Sequence, residues 1–147
     1  MKKESQPPLP VEDYLDALLS LPGMYRPQIS RNGQWACWTW ARMGPAADVF
    51  AAPTDGSQQP FRLSETSENT YLVSWLPDNN GVIVAQDQGG DERYQLSRIT
   101  LDNPLVMDAL TEAEPDYFLR GGELHPNGRW LVYGANYDFD VSQEIEP

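Results

Sequence analysis

The chain has 147 residues, of which 40% are hydrophobic and 11% are aromatic, so it is long enough to form one domain with a buried core. Its formal net charge is −12 at pH 7, and its only lysines are Lys2 and Lys3. Because a surface this acidic repels nucleic-acid phosphates and anionic lipids, we expect neither a nucleic-acid partner nor a membrane partner.

The cysteine count and the apolar segments indicate in which cellular compartment the protein is expected. Cys37 is the only cysteine, so no disulfide can form within the chain. No apolar run approaches the ~20 residues that a membrane-spanning helix requires. The apolar stretch near the N-terminus is interrupted by Glu12, Asp13 and Asp16, which makes it a poor signal peptide. We therefore expect a cytoplasmic protein.

Residues 1–24 are predicted to form an arm and one helix. The first ten residues are polar and proline-rich, which is typical of a flexible arm. Apolar residues then recur at helical spacing, at Val11, Tyr14, Leu15, Leu18 and Leu19. The Pro22-Gly23 pair ends this amphipathic helix. Our first interpretation is that the helix packs on the domain that follows, and the second is that it docks another domain.

Residues 25–147 contain a repeat of 47 or 48 residues. Turns that end in Asn-Gly recur at Asn32-Gly33, Asn80-Gly81 and Asn127-Gly128. Two further pairs of similar segments are 47 residues apart, namely Thr54-Asp55-Gly56 with Leu101-Asp102-Asn103 and Leu63-Ser64-Glu65 with Leu110-Thr111-Glu112. Three independent markers at one spacing predict a structural repeat.

Each repeat is predicted to contain four strands. In the second repeat these strands are 71–75, 81–87, 94–100 and about 105–110, with turn residues between them. The second strand is almost entirely apolar from Val82 onward, which is typical of a strand buried on both faces. A four-stranded unit that repeats about every 40–50 residues predicts a β-propeller blade.

We therefore predict an all-β fold, an incomplete β-propeller of about two and a half four-stranded blades preceded by one amphipathic helix. The predicted blades are residues 25–72, residues 73–120 and a truncated blade at 121–147. The tryptophans that follow two of the turns, Trp35 and Trp130, are predicted to insert between blades. Since a propeller closes with about four to eight blades, we expect a longer parent protein. The open blade face and strand edges are expected to permit self-association.

Two segments resemble the propeller of the prolyl oligopeptidase (S9) serine peptidases, in the style of the acylaminoacyl-peptidase-like bacterial members. The first segment runs from Ser74 to Leu96, and its Gly-Gly-Asp-Glu-Arg-Tyr-Gln-Leu part is the most specific. The second is the helix region 11–21 followed by Tyr25-Arg26-Pro27-Gln28-Ile29-Ser30. TolB-like propellers share the shorter pattern in which Pro, Asp or Asn, and Gly precede an apolar strand.

The resemblance implies a role next to an active site. In that family the propeller precedes an α/β-hydrolase domain with a Ser-Asp-His triad, caps the active site and admits only short peptides. This chain is then expected to gate and orient short peptides for a C-terminal hydrolase domain. It contains no Gly-x-Ser-x-Gly nucleophile elbow, so no catalytic residue can be assigned, and the chain alone is predicted to be inactive.

Two alternatives remain at this stage. The chain could belong to a non-enzymatic TolB-like or WD40-like propeller that acts as a protein-binding scaffold. It could also be a short protein whose half-propellers pair into a ring. Neither alternative involves a cofactor, and we predict none.

Few residues are candidates for binding or catalysis. His125 is the only histidine and is interpreted as a turn residue, and Cys37 as a buried thiol. The segment Asp138 to Ser142 begins like an EF-hand loop, but Gln143 stands where that loop requires glycine. We therefore predict no metal site.

Arg93 is the one candidate for substrate contact. It follows two acidic residues and precedes the third strand of the second blade. Our first interpretation is an ion pair with Asp91 or with an acid of a neighbouring blade, and the second is a contact with a peptide carboxylate. The nearby acids Asp87, Asp91 and Glu92 are interpreted as solvated turn residues.

Overall fold

The computed structural model describes residues 10–111 and 119–136, which form one helix and three antiparallel sheets. The helix α1 comprises Val11–Leu19. The first sheet contains β1 (Gly23–Ile29), β2 (Trp35–Ala41), β3 (Asp48–Pro53) and β4 (Phe61–Arg62). The second contains β5 (Thr70–Trp75), β6 (Gly81–Gln86), β7 (Gln95–Thr100) and β8 (Asn103–Ala109), and the third contains β9 (Leu119–Leu124) and β10 (Leu131–Ala135).

The described sheets stack on one another without a continuous strand ladder between them, and one isolated bridge pairs Tyr94 with Leu119 of β9. Within each sheet the strands follow chain order. The first strand of the second sheet, β5, contacts the first strands of both neighbouring sheets, β1 and β9. This is the radial arrangement of propeller blades with the first strand innermost. The predicted all-β incomplete propeller is confirmed. Along the chain, the first sheet ends at Arg62 and the second begins at Thr70. This boundary lies a few residues before the expected one between 72 and 73.

Two apolar clusters lie between the sheets. The first joins the first two sheets and comprises Cys37, Val49, Ala51, Leu63, Leu72, Trp75, Val82, Val84 and Ile99. The second joins the second and third sheets and has Val73, Ile83, Ala85, Leu96 and Leu119 at its centre. Alternate residues of β6 therefore enter different clusters. This explains why that strand is apolar along its whole length, since both of its faces are covered.

Hydrogen bonds and strand pairing repeat from sheet to sheet. The hydroxyl of Ser64 accepts the Val49 N–H at 2.9 Å, and that of Thr111 accepts the Leu96 N–H at 3.0 Å. In all three sheets, a register shift interrupts the pairing of the first two strands. Segments 47 residues apart thus hold equivalent positions, and the predicted repeat is confirmed.

The predicted correspondence between the Asn-Gly turns is wrong in the second sheet. The turns before β2 and β10 have a positive φ at Gly33 and Gly128, as their sequences predict. The turn before β6 has its positive φ at Asn79 (61°), two residues before Gly81. Asparagine enters the left-handed region more readily than most residues, so Asp78-Asn79 takes the place of Asn-Gly in this turn.

The two predicted tryptophan wedges have different outcomes. Trp35 is half-buried, packs against the first cluster and contacts the ring of Phe61 edge to face at 6.0 Å, as predicted. Trp130 is 59% exposed, so its predicted insertion between blades is not seen among the described residues. The reason is the alternation along β10, which directs Leu131 and Tyr133 toward the second sheet and leaves Trp130 on the opposite face.

The helix forms where predicted but does not bury its apolar face. All residues of α1 are exposed, including Val11 at 74% and Leu19 at 66%. Its attachment is polar, since Arg42 Nη1 donates to the backbone oxygens of Leu19 and Leu21 at 2.7 and 2.9 Å. Packing of the helix on its own domain, our first interpretation, is therefore wrong. No helix in the described ranges is both long and apolar enough to cross a bilayer.

One hydrogen bond between the first two sheets is fully buried. Thr39 Oγ1 accepts the Leu72 N–H at 2.8 Å, and neither residue is exposed. Thr39→Val keeps the shape of the side chain but leaves this amide without its acceptor. We expect the free energy of unfolding to fall by about 1–3 kcal/mol, measured by urea denaturation. Thr54→Val, which removes an exposed hydroxyl, is the control and should cost less; equal losses would contradict the buried role of Thr39.

Candidate functional site

A cleft opens at the end of the first two sheets where β2 ends and β5 begins. Its volume is about 410 Å³, and it is lined by Tyr25, Asn69, Tyr71 and the loop between β2 and β3, which includes Arg42. This volume is within the range of small-ligand pockets. The cleft is therefore the candidate functional site.

Hydrogen bonds between the two sheets hold the cleft wall in place. Asn69 Oδ1 accepts the Ala47 N–H at 3.0 Å, and the Thr70 N–H donates to the Ala47 oxygen at 2.8 Å. The opposite side is fixed by Arg42, whose guanidinium holds the end of the helix. Ala47, Asn69 and Arg42 of the cleft wall are thus already paired, which favours a preformed site.

Two tyrosines occupy equivalent positions at this end of the propeller. Tyr25 pairs with Thr39 of β2, and Tyr71 pairs with Ala85 of β6. These partners are equivalent because each lies four residues after the first residue of its strand. The pKa of Tyr71 is raised by burial first, and then by the nearby charges of Asp87 and Tyr25. The two tyrosines both line the cleft.

Asp87, which directly follows β6, does not line the cleft but is buried. It is 3% exposed, and its Oδ1 is buried without a hydrogen-bond partner. Its interpretation as a solvated turn residue is wrong, because the residue directly follows β6 and remains inside the stack of sheets. The same interpretation is confirmed for Asp91 and Glu92, which are exposed.

Arg93 lies in the loop between β6 and β7 and is exposed. Its backbone N–H donates to Asp91 Oδ1 at 2.9 Å, and the Gln88 N–H donates to the same oxygen at 3.3 Å. Asp91 therefore orders this loop through backbone groups. The contact of Arg93 with a substrate stays a prediction.

The other candidate residues have structural positions. His125 is exposed in a turn, where its Nδ1 accepts the Asn127 N–H at 3.2 Å, which confirms the turn interpretation. Cys37 is fully buried, and burial raises the pKa of its thiol, which confirms the buried thiol. The segment Asp138 to Ser142 lies outside the described residues. Within the described ranges, no group of three or more His, Cys, Asp or Glu side chains could hold a metal ion.

Sequence reasoning missed the cleft itself. Tyr25, Asn69 and Tyr71 come from segments that are separate in the chain and meet only where two sheets stack. One signal was present, since Tyr25 and Tyr71 are 46 residues apart, close to the period of the repeat. The burial of Asp87 has no comparable sequence signal.

Comparisons with known proteins bear on the fold. No family model matches the chain, and no curated protein matches it. Among solved structures, it is similar to a putative TolB from Agrobacterium tumefaciens, with a TM-score of 0.59 and 20% identity over 71% of this chain and 35% of that one. It is also similar to TolB from Acinetobacter baumannii, with a TM-score of 0.57 and 22% identity over 73% of this chain and 25% of that one.

The fold is a TolB-like β-propeller. The chain spans about a third and a quarter of the length of these two structures. The resemblance to S9 peptidases is not confirmed by these comparisons and stays a prediction.

Proposed function

We propose that this chain is the N-terminal propeller region of an S9-family serine peptidase, in which it gates and orients short peptides for a C-terminal α/β-hydrolase domain. The proposal assigns no chemical step to the chain. Its task is to present a shaped and polar surface at one end of the propeller, where a peptide can be held while another domain acts on it.

The observation that carries the proposal is a contact between the cleft and the most specific part of the resemblance. The Gly-Gly-Asp-Glu-Arg-Tyr-Gln-Leu stretch forms the loop between β6 and β7 and the start of β7. Its Tyr94 ring meets the ring of Tyr71 edge to face at 5.9 Å, and Tyr71 lines the cleft. The segment that resembles the peptidases thus supports the wall of the candidate site.

Sequencing the gene beyond the codon for Pro147 tests the proposal. We expect a Gly-x-Ser-x-Gly motif followed by an aspartate and a histidine. In parallel, the chain alone should show no turnover of peptide or ester substrates and no labelling by a serine-reactive probe. Turnover that scales with the amount of this chain would contradict the proposal, and so would a gene that encodes further blades and then stops.

A second candidate is a non-enzymatic TolB-like scaffold that binds proteins. The structural neighbours favour it, because both are TolB proteins. It predicts the reverse result in the gene, with further blades and no hydrolase domain. The helix α1, with an apolar face that is exposed, is then the natural docking element for a partner.

Both candidates require that the outer face of the third sheet is covered in the full protein. Trp130 and Val132 are 59% and 66% exposed on that face. The corresponding face of the first sheet carries Trp35 and Cys37, which the second sheet covers. We propose that a further sheet of the complete propeller covers Trp130 in the same way.

An isolated chain should then associate through this face. We expect the mass measured by light scattering to rise with concentration in about 0.5 M salt, which screens the net charge. Trp130→Ser should reduce that rise, whereas Tyr14→Ser on the exposed helix serves as a matched control and should not. A chain that stays monomeric, or equal effects of the two substitutions, would contradict association through the third sheet. A discrete oligomer would instead favour the paired half-propellers.

A further inference from the structure

We propose that the cleft between the first two sheets binds a carboxylate, held by the guanidinium of Arg42 and the side-chain amide of Asn69. The inference does not depend on the peptidase proposal, since it concerns what the cleft binds and not which domain follows the propeller. The carboxylate is either the C-terminus of a peptide or part of a free organic acid, and the experiment below separates these sources.

The first step is the charge of the cleft lining. Nine of the described residues line the cleft; Arg42 is the cation among them, and none of the nine is an aspartate or a glutamate. The whole chain, in contrast, contains 22 acidic residues and only 10 lysines and arginines. A cleft that carries a guanidinium and no carboxylate therefore differs in charge from the rest of this protein, and it favours an anionic ligand.

The second step is the state of the Arg42 guanidinium. Its Nη1 donates to the backbone oxygens of Leu19 and Leu21 at 2.7 and 2.9 Å, which fixes the plane of the group. Among the described residues, Nε and Nη2 of Arg42 have no acceptor and no carboxylate pairs with them, whereas Arg62 and Arg98 each pair with an acid. Nε and Nη2 offer two parallel N–H groups, which match the two oxygens of a carboxylate.

The third step is the rest of the polar wall. Asn69 Oδ1 accepts the Ala47 N–H at 3.0 Å, so the orientation of the amide is fixed and its Nδ2 remains as a donor. Tyr25 and Tyr71 line the same cleft, and a phenol hydroxyl can donate to a carboxylate oxygen. Guanidinium, amide and phenol groups thus supply the several donors that the oxygens of a carboxylate require.

The fourth step distinguishes a carboxylate from a phosphate. One guanidinium balances one negative charge, whereas a phosphate monoester carries about −1.5 to −2 at pH 7. The net charge of −12 repels the excess negative charge of a phosphate. The remaining wall is mainly small and apolar, with Ala41, Pro45 and Ala46, and the cleft has a volume of about 410 Å³. It therefore suits the hydrocarbon part of an organic acid or of a peptide terminus.

Calorimetric titration of the 147-residue chain at low ionic strength tests the site with four compounds. These are N-acetyl-alanyl-alanine, its C-terminal amide, 3-phenylpropionate and inorganic phosphate. We expect saturable binding of at least one of the two carboxylates, and at least tenfold weaker binding of the amide and of phosphate. Tighter binding of the dipeptide assigns a peptide C-terminus, and tighter binding of 3-phenylpropionate assigns a free organic acid.

Two substitutions test the residues that are assigned to the carboxylate. Arg42→Lys keeps the positive charge but removes the paired N–H groups, and Asn69→Asp keeps an acceptor for the Ala47 N–H but adds a charge that repels the ligand. Each should weaken carboxylate binding at least tenfold. Arg31→Lys and Asn103→Asp make the same changes at exposed residues outside the cleft and should leave binding unchanged.

The proposal is overturned if neither carboxylate binds, if the amide or phosphate binds as tightly as the better carboxylate, or if Arg42→Lys or Asn69→Asp binds normally. The acid and the amide are compared on the natural chain, so this comparison decides the proposal even where a variant folds poorly. The peptidase proposal is tested separately by the sequence of the gene.

Discussion

Gly81→Ala is expected to lower the free energy of unfolding by about 3 kcal/mol, among the largest effects of any single methyl group in this chain. A Cβ at this position would collide with the backbone oxygen of Ile99 and lie 2.9 Å from the Thr100 Cα. Both atoms belong to β7, which pairs with β6 along its whole length. Neither can move away without disturbing the hydrogen bonds of the second sheet.

Gly33→Ala, in the turn before β2, is the control. Gly33 has a φ of +72°, but nothing lies within 4 Å of a Cβ built there, so the cost is backbone strain alone, about 1–2 kcal/mol. Urea denaturation of the two variants measures the difference. If Gly81→Ala were no more destabilising than Gly33→Ala, the close approach of β6 and β7 at Gly81 would be wrong.

Leu72→Ala is expected to be at least as damaging, with a loss of about 3–4 kcal/mol. Leu72 is fully buried in the first cluster, where it lies between the first two sheets. Its backbone is held by the buried hydroxyl of Thr39, so the site cannot easily collapse around the missing atoms. The expected loss in the free energy of unfolding therefore combines the lost apolar burial with the cost of the cavity that remains.

The control for this substitution is Leu19→Ala, at a leucine of α1 that is 66% exposed. Exposed substitutions usually change stability by less than about 0.5 kcal/mol. Thermal and urea unfolding of both variants give the comparison. Similar small losses in both would show that the first two sheets do not share a packed interface.

The strands were predictable because their signals are local. The second strand of the second repeat was predicted at 81–87 and is observed as Gly81–Gln86, since an apolar run between two turns defines it. The hydroxyls of Ser64 and Thr111 mark equivalent places because each bonds an amide of its own sheet. The turn before β6 was misaligned, since Asn79 takes the left-handed conformation that glycine takes in the other two turns.

The site was not predictable because it depends on how sheets stack. Asp87 lies among acidic and glycine residues that read as a solvated loop, yet it is 3% exposed in the folded chain. The exposure of α1 and Trp130 has the same origin, because an amphipathic pattern specifies a face to be covered but not what covers it. The predicted burial of α1 and of Trp130 is therefore not seen, because no described residue covers either apolar face.

The most direct test of the propeller is a set of amide contacts between sheets, measured by nuclear Overhauser effects on the isotope-labelled chain. We expect the amide of Thr70 to lie near Ala47, that of Leu105 near Leu63 and that of Leu119 near Tyr94, since each donates across a sheet boundary at 2.8–3.0 Å. All of these contacts should occur in one molecule, without a continuous strand ladder that joins neighbouring sheets. Their absence, together with a ladder that runs from the first sheet into the second, would contradict the radial stack of blades.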